Sequence, residues 1–586
     1  MRISGVVVVG AALAGAVASM PTVARADNVT IAAGAAYTLT GDIVLSGSDS
    51  FTAGDPAGAR CQIHGGGFSI HSADDTWSGN FSLQNCDVDG LGVEGGMAIQ
   101  LSLAGALTIS KTVFSNSSEV DLTLRDAASV AFTDNVIAVD SVTKVVTTSL
   151  DQSQDAFHVK GGSTGSKVFQ RNLVRRERLH FELTGDWLVE GNTLVGDRTG
   201  IFVDRCGPIT IRGNYSHANG LGWNQVKNIS AFSTEGNTIV EHNVLVGLAW
   251  NTEVHGPGEI RYNLIVNPVE RAWVQLWATS NTKVHHNLMI QSSDNQFKEI
   301  NGGFVVFGDD PPITPTPPPS SEIYNNTFDA GGTCNPGLAG AVTVGDHLLS
   351  LRSNAFVNIR LPGWTGITLV GQQDKMVPDP LPSLLGYADY NLFHNPDGSV
   401  KANYGVGVAG KTLRADAGFG YNDVPVGGAA NAQVDPAFAG PIPHKLAFDE
   451  QSVLDGTTSV CHILAYYRRA YAPDPSKSSP LIDAGDPAEG AGNDIGAIGA
   501  GADNALDQFG KLCDPNDVGP IAPSQDVFTC ATVGLEGGGG GGNPPVPPGG
   551  HGFICVCQAG AGAPATAPFV AVLAVAALAL ARRRRR

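Results

Sequence analysis

Between residues 80 and 395 a short pattern of apolar and polar positions recurs: an apolar residue, two variable ones and then, in most copies, Asn. It stands at Phe132/Asn135, Phe169/Asn172, Val189/Asn192, Ile211/Asn214, Val240/Asn243, Ile260/Asn263, Val284/Asn287, Ile323/Asn326 and Leu351/Asn354, with weaker copies at Leu83–Cys86 and Ile109–Thr112. Intervals of 20 to 29 residues dominate, and insertions lengthen the rest. Periods in this range mean a solenoid, in which each repeat buries its apolar face only against its neighbours. Short β-rich runs flank each Asn, and no helical periodicity of comparable length competes with them.

The amide explains the choice of Asn. Asn tolerates the left-handed backbone of a sharp bend, and its side chain both donates to and accepts from the equivalent Asn one coil away. A ladder of this kind satisfies polar groups inside a tight corner while the flanking strands pair in parallel at ~4.8 Å. A β-propeller repeats at roughly 40–50 residues and a leucine-rich solenoid carries a Leu consensus, so neither fits.

The Asn-corner pattern resembles the right-handed parallel β-helix of pectate-lyase-like proteins. The resemblance implies an all-β, single-stranded right-handed parallel β-helix. Val434-Asp435-Pro436-Ala437-Phe438, the run Ser479–Asp486 and Asp494–Gly499 resemble the closing segment of bacterial secreted β-helix proteins, and they are expected to cap the last open coil. The stretch from about Ser292 to Ser321 carries Pro311, Pro312, Pro315, Pro317, Pro318 and Pro319 and is expected to loop off the solenoid.

Aligning one strand from each of five coils gives Phe157-His158-Val159, Phe181-Glu182-Leu183, Ile201-Phe202-Val203, Thr252-Glu253-Val254 and Val274-Gln275-Leu276. Strand alternation turns Phe157, Val159, Phe181, Leu183, Ile201, Val203, Val254 and Leu276 inward. The outward face then collects Lys160, His180, Glu182, Asp204, Glu253 and His255 as candidate catalytic groups. His158, Arg205, Trp273, Gln275 and Trp277 stand beside them as candidate substrate-binding groups. Aromatic rings offer flat faces to sugars, and carboxylates with His or Lys perform acid/base chemistry. Glu182 and Asp204, one coil apart and offset by two residues, would stand ~8 Å apart, as in inverting glycosidases. A lyase reading instead makes Lys160 or His180 the base beside a uronate carboxyl that Arg171, Arg175, Arg176, Arg178 and Arg205 neutralise. No zinc-protease, serine-elbow or phosphate-loop motif is present, so no metal or cofactor is expected.

Composition narrows the partners. Of 586 residues only 16% are charged, Gly reaches 74 and the net charge is −19, which suits a turn-rich β protein and excludes a nucleic-acid partner. The partner expected is a polysaccharide, handled by a lyase or glycoside hydrolase; the alternative is a noncatalytic glycan-binding or matrix protein. Residues 1–26 read as a signal peptide, with Arg2, an apolar run and Ala24-Arg25-Ala26 at the cleavage site. The body is expected over 27–500, a Cys-containing segment over 501–533 and a Gly/Pro linker over 534–552. Residues 553–586 bring Cys555 and Cys557, an apolar stretch of membrane-spanning length and Arg582 to Arg586. This tail resembles the myxobacterial MYXO-CTERM sorting signal. The resemblance implies export, a tail anchor helix, recognition by sorting machinery and attachment at the outer-membrane surface through Cys555 or Cys557. Cys61 and Cys86 are 25 residues apart, about one coil, and are expected to form a disulfide. Cys513 and Cys530 are expected to clasp locally, while Cys206, Cys334 and Cys461 have no assigned partners.

Overall fold

The computed structural model describes residues 28–92, 96–138, 155–175, 178–196, 200–218, 227–232, 236–247, 250–254, 256–266, 272–277, 281–290, 304–307, 320–329, 342–344, 348–358, 365–371, 385–394, 401–408, 432–440, 442, 446–490, 492–499, 519 and 521, with short strands at 7–8 and 24–25. The leader otherwise lies outside these residues. So do the prolines at 311–319, Cys334, Cys513, Cys530 and the whole tail from residue 522 with Cys555 and Cys557. Among the described residues no helix is long and apolar enough to cross a membrane.

The chain winds as a parallel β-helix. Every third strand pairs, in parallel, with the strand one coil before it, giving three sheets of 15, 14 and 15 strands. One coil reads Lys167–Gln170 in the first sheet, Leu173–Arg175 in the second and Arg178–Glu182 in the third. Inside, like stacks on like: Phe132 on Phe169 at 4.9 Å, and Phe328 on Phe356 on Phe393 at 4.9 and 5.1 Å. Offset stacking of this kind adds to the burial of large apolar area. Cys61 and Cys86 pair across adjacent coils and form the expected disulfide.

The corner ladder runs unbroken from Thr112 through Asn135, Asn172, Asn192, Asn214, Asn243, Asn263, Asn287, Asn326 and Asn354 to Asn391. Each backbone N–H donates to the next Asn Oδ1 at 2.9–3.1 Å. The left-handed residue is not the Asn, however. It is the residue before it, such as Asp134, Arg171, His242, Tyr262 or His286, with φ between 53 and 59°. Asn is there for the amide ladder, and its neighbour carries the bend.

Two other expectations change. Within the proline-containing insertion, Phe304–Phe307 pairs in register with Val274–Trp277, so this apolar, proline-free part is a ladder strand. The C-terminal segment does more than close an end: its helices Glu450–Leu454 and Val460–Ala470 lie along the flank of the second sheet. There Ile463, Leu464 and Tyr467 join one apolar cluster with Val244, Val246, Leu264, Val266, Leu288 and Ile290. Strands covered on both faces have no polar alternation, which is why they read Val-Leu-Val, Leu-Ile-Val and Leu-Met-Ile.

Candidate functional site

With the flank of the second sheet covered, the outward face of the third sheet holds the candidate groups. Its strands Glu119–Leu124, Asp155–Lys160, Arg178–Glu182 and Gly200–Asp204 are consecutive neighbours. Register places Asp121, His158, His180 and Phe202 in one outward column and Thr123, Lys160, Glu182 and Asp204 in the next. Leu179 and Phe181 are the inward pair on their strand, not Phe181 and Leu183. Leu183 has a left-handed φ of 50° and is 50% exposed. A slip of two residues preserves the face, so His180 and Glu182 still point outward.

The two imidazoles stack at 4.5 Å between ring centroids, with planes 20° apart. Behind each lies a carboxylate. His158 Nδ1 is 3.3 Å from Asp121 Oδ1 and 3.6 Å from Glu119 Oε1, and its Nε2 is 3.4 Å from Glu182 Oε2. Burial pushes His158 toward neutrality, but hydrogen bonding and attraction from Asp121, then Glu119 and Asp155, hold it above its usual range. His180 Nδ1 is 3.0 Å from Asp155 Oδ2, while Arg178 Nε donates to Asp155 Oδ1 at 2.5 Å. Burial pushes the Asp155 carboxyl up; the hydrogen bonds from His180 and Arg178 outweigh it and keep the group below the ordinary carboxylate range. Asp121 behaves alike: desolvation opposes its charge, but His158, Lys160 and Gln100 favour it more.

Asp155 was hidden from strict alternation, which turns it inward. A register irregularity between Asp155 and Phe157 sets Asp155 opposite Arg178 instead, in line with the outward residues. Glu119 and Asp121 were missed because the five aligned strands begin one coil too late. Phe202 packs against His180 at 4.8 Å and lies under the Arg178 guanidinium at 4.9 Å, closing that side of the cluster.

Glu182 and Asp204 pair directly across adjacent strands, with no offset. Arg205 Nη2 binds both, at 2.8 and 3.0 Å, so their bound oxygens share one nitrogen. That arrangement is tighter than the ~6.5–9.5 Å needed to seat water between two catalytic carboxyls. The side chain of Lys160, beside Glu182 in its column, makes no hydrogen bond or ion pair among the described residues.

The remaining candidates lie apart or outside. Glu253 stands in the His158–His180 column three strands beyond His180 and is 3% exposed. At ~4.8 Å per strand it is roughly 14 Å away. His255 and Arg176 lie outside the described residues, as do the side chains of Trp273, Gln275 and Trp277, although their strand Ala272–Trp277 belongs to the same sheet. Arg171 is committed to Asp134 on the first-sheet corner.

No protein family and no curated protein matches the sequence. Among solved structures, the periplasmic alginate epimerase AlgG is 12% identical, with 63% of this chain and 76% of that one covered at a TM-score of 0.30. A PL6 alginate lyase in complex with a trisaccharide is 11% identical, with 70% of this chain and 90% of that one covered at a TM-score of 0.24.

Proposed function

We propose that this chain processes an extended, acidic polysaccharide along the outward face of the third sheet, by abstraction of a proton from the sugar. The observation that supports this reading is Lys160, a basic side chain without a hydrogen bond or ion pair among the described residues, in a row of ordered carboxylates and imidazoles. Lys160 accepts the sugar's proton as the neutral amine, after its own ammonium proton has passed to solvent. The His158–His180–Glu182 cluster fixes the reacting sugar, and Arg205, half exposed at the rim on Glu182 and Asp204, faces the polymer's acidic groups. Two-carboxylate hydrolysis is the weaker reading, because Glu182 and Asp204 jointly hold one guanidinium. A straight solenoid flank suits a polymer better than a small ligand.

The test is incubation of the secreted protein with alginate, pectate and neutral glycans. Ultraviolet absorbance of an unsaturated sugar marks elimination, a change of uronate stereochemistry marks epimerisation, and new reducing ends alone mark hydrolysis. Lys160→Met should abolish turnover and leave the melting temperature within a degree or two. Binding without turnover on every glycan would overturn the enzymatic reading in favour of a surface binding protein. The tail belongs to the same proposal: export and surface attachment through Cys555 or Cys557 would place the solenoid where such polymers occur, and deleting residues 582–586 should release or mis-sort the protein.

A further inference from the structure

We infer that His158, His180 and Glu182 form a binding site for a divalent transition-metal ion of the zinc type. The inference goes beyond the polysaccharide reading and does not depend on it. Each of the three residues brings one ligand atom within 4.8 Å of the other two. On both imidazoles the Nδ1 faces a carboxylate: that of His180 is hydrogen-bonded to Asp155, and that of His158 lies 3.3 Å from Asp121 Oδ1 in an ion-pair contact. That leaves the two Nε2 atoms, and both are buried without a hydrogen-bond partner. Buried polar atoms are rarely left this way, and two on stacked rings beside a carboxylate share one remedy.

The surroundings are those of a metal site. Metal-bound imidazoles usually donate their other N–H to a carboxylate, which fixes the tautomer and raises ligand basicity. Here each ring has that carboxylate, and Asp155 is itself held by Arg178. Ligands of a tetrahedral ion with bonds of ~2.0–2.1 Å stand about 3.3 Å apart; His158 Nε2 and Glu182 Oε2 are already at 3.4 Å. The ligand atom of His180 lies within 4.8 Å of the other two. Charge favours a cation as well: Glu119, Asp121, Asp155, Glu182 and Asp204 cluster here against Lys160, Arg178 and Arg205.

Ligand type selects the ion. Two imidazole nitrogens with one carboxylate suit zinc and its first-row neighbours, whereas calcium and magnesium require mostly oxygen ligands. Three protein ligands leave a fourth position open, the arrangement of catalytic rather than structural zinc.

The full chain, stripped with a chelator, is titrated calorimetrically with Zn²⁺ and with Ca²⁺, without polysaccharide. One equivalent of Zn²⁺ should bind at micromolar affinity or better, with Ca²⁺ at least a hundredfold weaker. His180→Asn and Glu182→Gln should each weaken Zn²⁺ at least a hundredfold. Asp155→Asn, which alters the carboxylate shared by His180 Nδ1 and Arg178 and no proposed ligand, should weaken it ten- to a hundredfold. Circular dichroism verifies that each variant is folded, and the visible spectrum of bound Co²⁺ on the unaltered chain reports nitrogen–oxygen ligation independently of any variant. Failure to bind Zn²⁺, equal affinity for Ca²⁺, or binding unchanged in both folded ligand variants would overturn the site. Loss of Zn²⁺ on Glu119→Gln with His180→Asn unaffected would also overturn it, since the ion would then sit on the Glu119–Asp121 side of His158.

Discussion

Asn214 shows what a single residue contributes. It is fully buried; its Nδ2 donates to the carbonyls of Val189 and Arg212 and to Asn243 Oδ1, and its own Oδ1 accepts from both nitrogens of Asn192. Ala at this position removes the donor and the acceptor together and strands groups on the neighbouring coils. Each buried group left unsatisfied costs ~1–3 kcal/mol, so Asn214→Ala should destabilise by about 3 kcal/mol or more. Leu183→Ser, at an exposed position, should change stability by less than ~0.5 kcal/mol. Denaturant titration of both variants decides the matter; equal effects would mean that the ladder is ornamental. The ladder was legible in the sequence because the amide requires Asn coil after coil. Its last rung, Asn391, escaped because Ala388 is a weak apolar signal three residues before it. The bend residue was not legible: Asp134, Arg171, His242, Tyr262 and His286 share a backbone angle but no side-chain chemistry.

At the scale of elements, the sequence exposed what repeats and concealed what breaks the repeat. Alternation identified the outward row of Lys160, His180, Glu182 and Asp204, but the irregularity at Asp155 follows no period, and the carboxylate behind His180 was lost with it. The helix Val460–Ala470 was concealed for another reason: it packs on strands more than 170 residues earlier in the chain. It delivers Arg468, wholly buried, to within 5.6 Å of the Tyr262 ring, on which His242 stacks at 5.1 Å. Burial, then the charges of Arg468, Arg261 and Arg212, push His242 down to about 3. His286, on the other side of Tyr262, is lowered by burial and by His285, Arg468 and Arg261. In the unfolded chain these histidines titrate near ~6.5. A depressed folded-state value means that the unfolded chain takes up protons first. The stabilising contribution is thus complete above about 6.5 and is lost as pH falls from there toward about 3. Thermal denaturation should show a loss on the order of a few kcal/mol over that window, flattened in His242→Phe, which keeps the stack on Tyr262 and cannot be protonated. An unchanged slope in His242→Phe would show that acid acts elsewhere.

The whole molecule joins an extended solenoid to one element that ties distant coils together. Most contacts in a solenoid link neighbouring coils only, so coils open locally and independently unless something spans them. The C-terminal segment does span them. Tyr215 and His217 bond to Glu450, Asp329 accepts from Tyr471 Oη at 2.6 Å, Asn325 donates to the Asp494 carbonyl at 2.6 Å, and Ala432 bridges to Leu392. These contacts reach from the coil of Tyr215 to that of Leu392, and Val195 packs against the same apolar cluster, while the coils before residue 187 have no such strap among the described residues. Removing residues 432–586 would bare Val244, Val246, Leu264, Val266, Leu288 and Ile290 together, a continuous apolar strip of the kind soluble proteins rarely expose. Hydrogen exchange should then rise at least tenfold in the second-sheet strands Val244–Val246, Leu264–Val266 and Leu288–Ile290, and hardly at all in Cys86–Asp89 and Val113–Ser115. Deleting only residues 534–586 should leave both groups protected. Equal protection of both groups in the longer deletion would show that the coils stand without the strap. Loss of protection throughout would show instead that the solenoid unfolds as one cooperative unit.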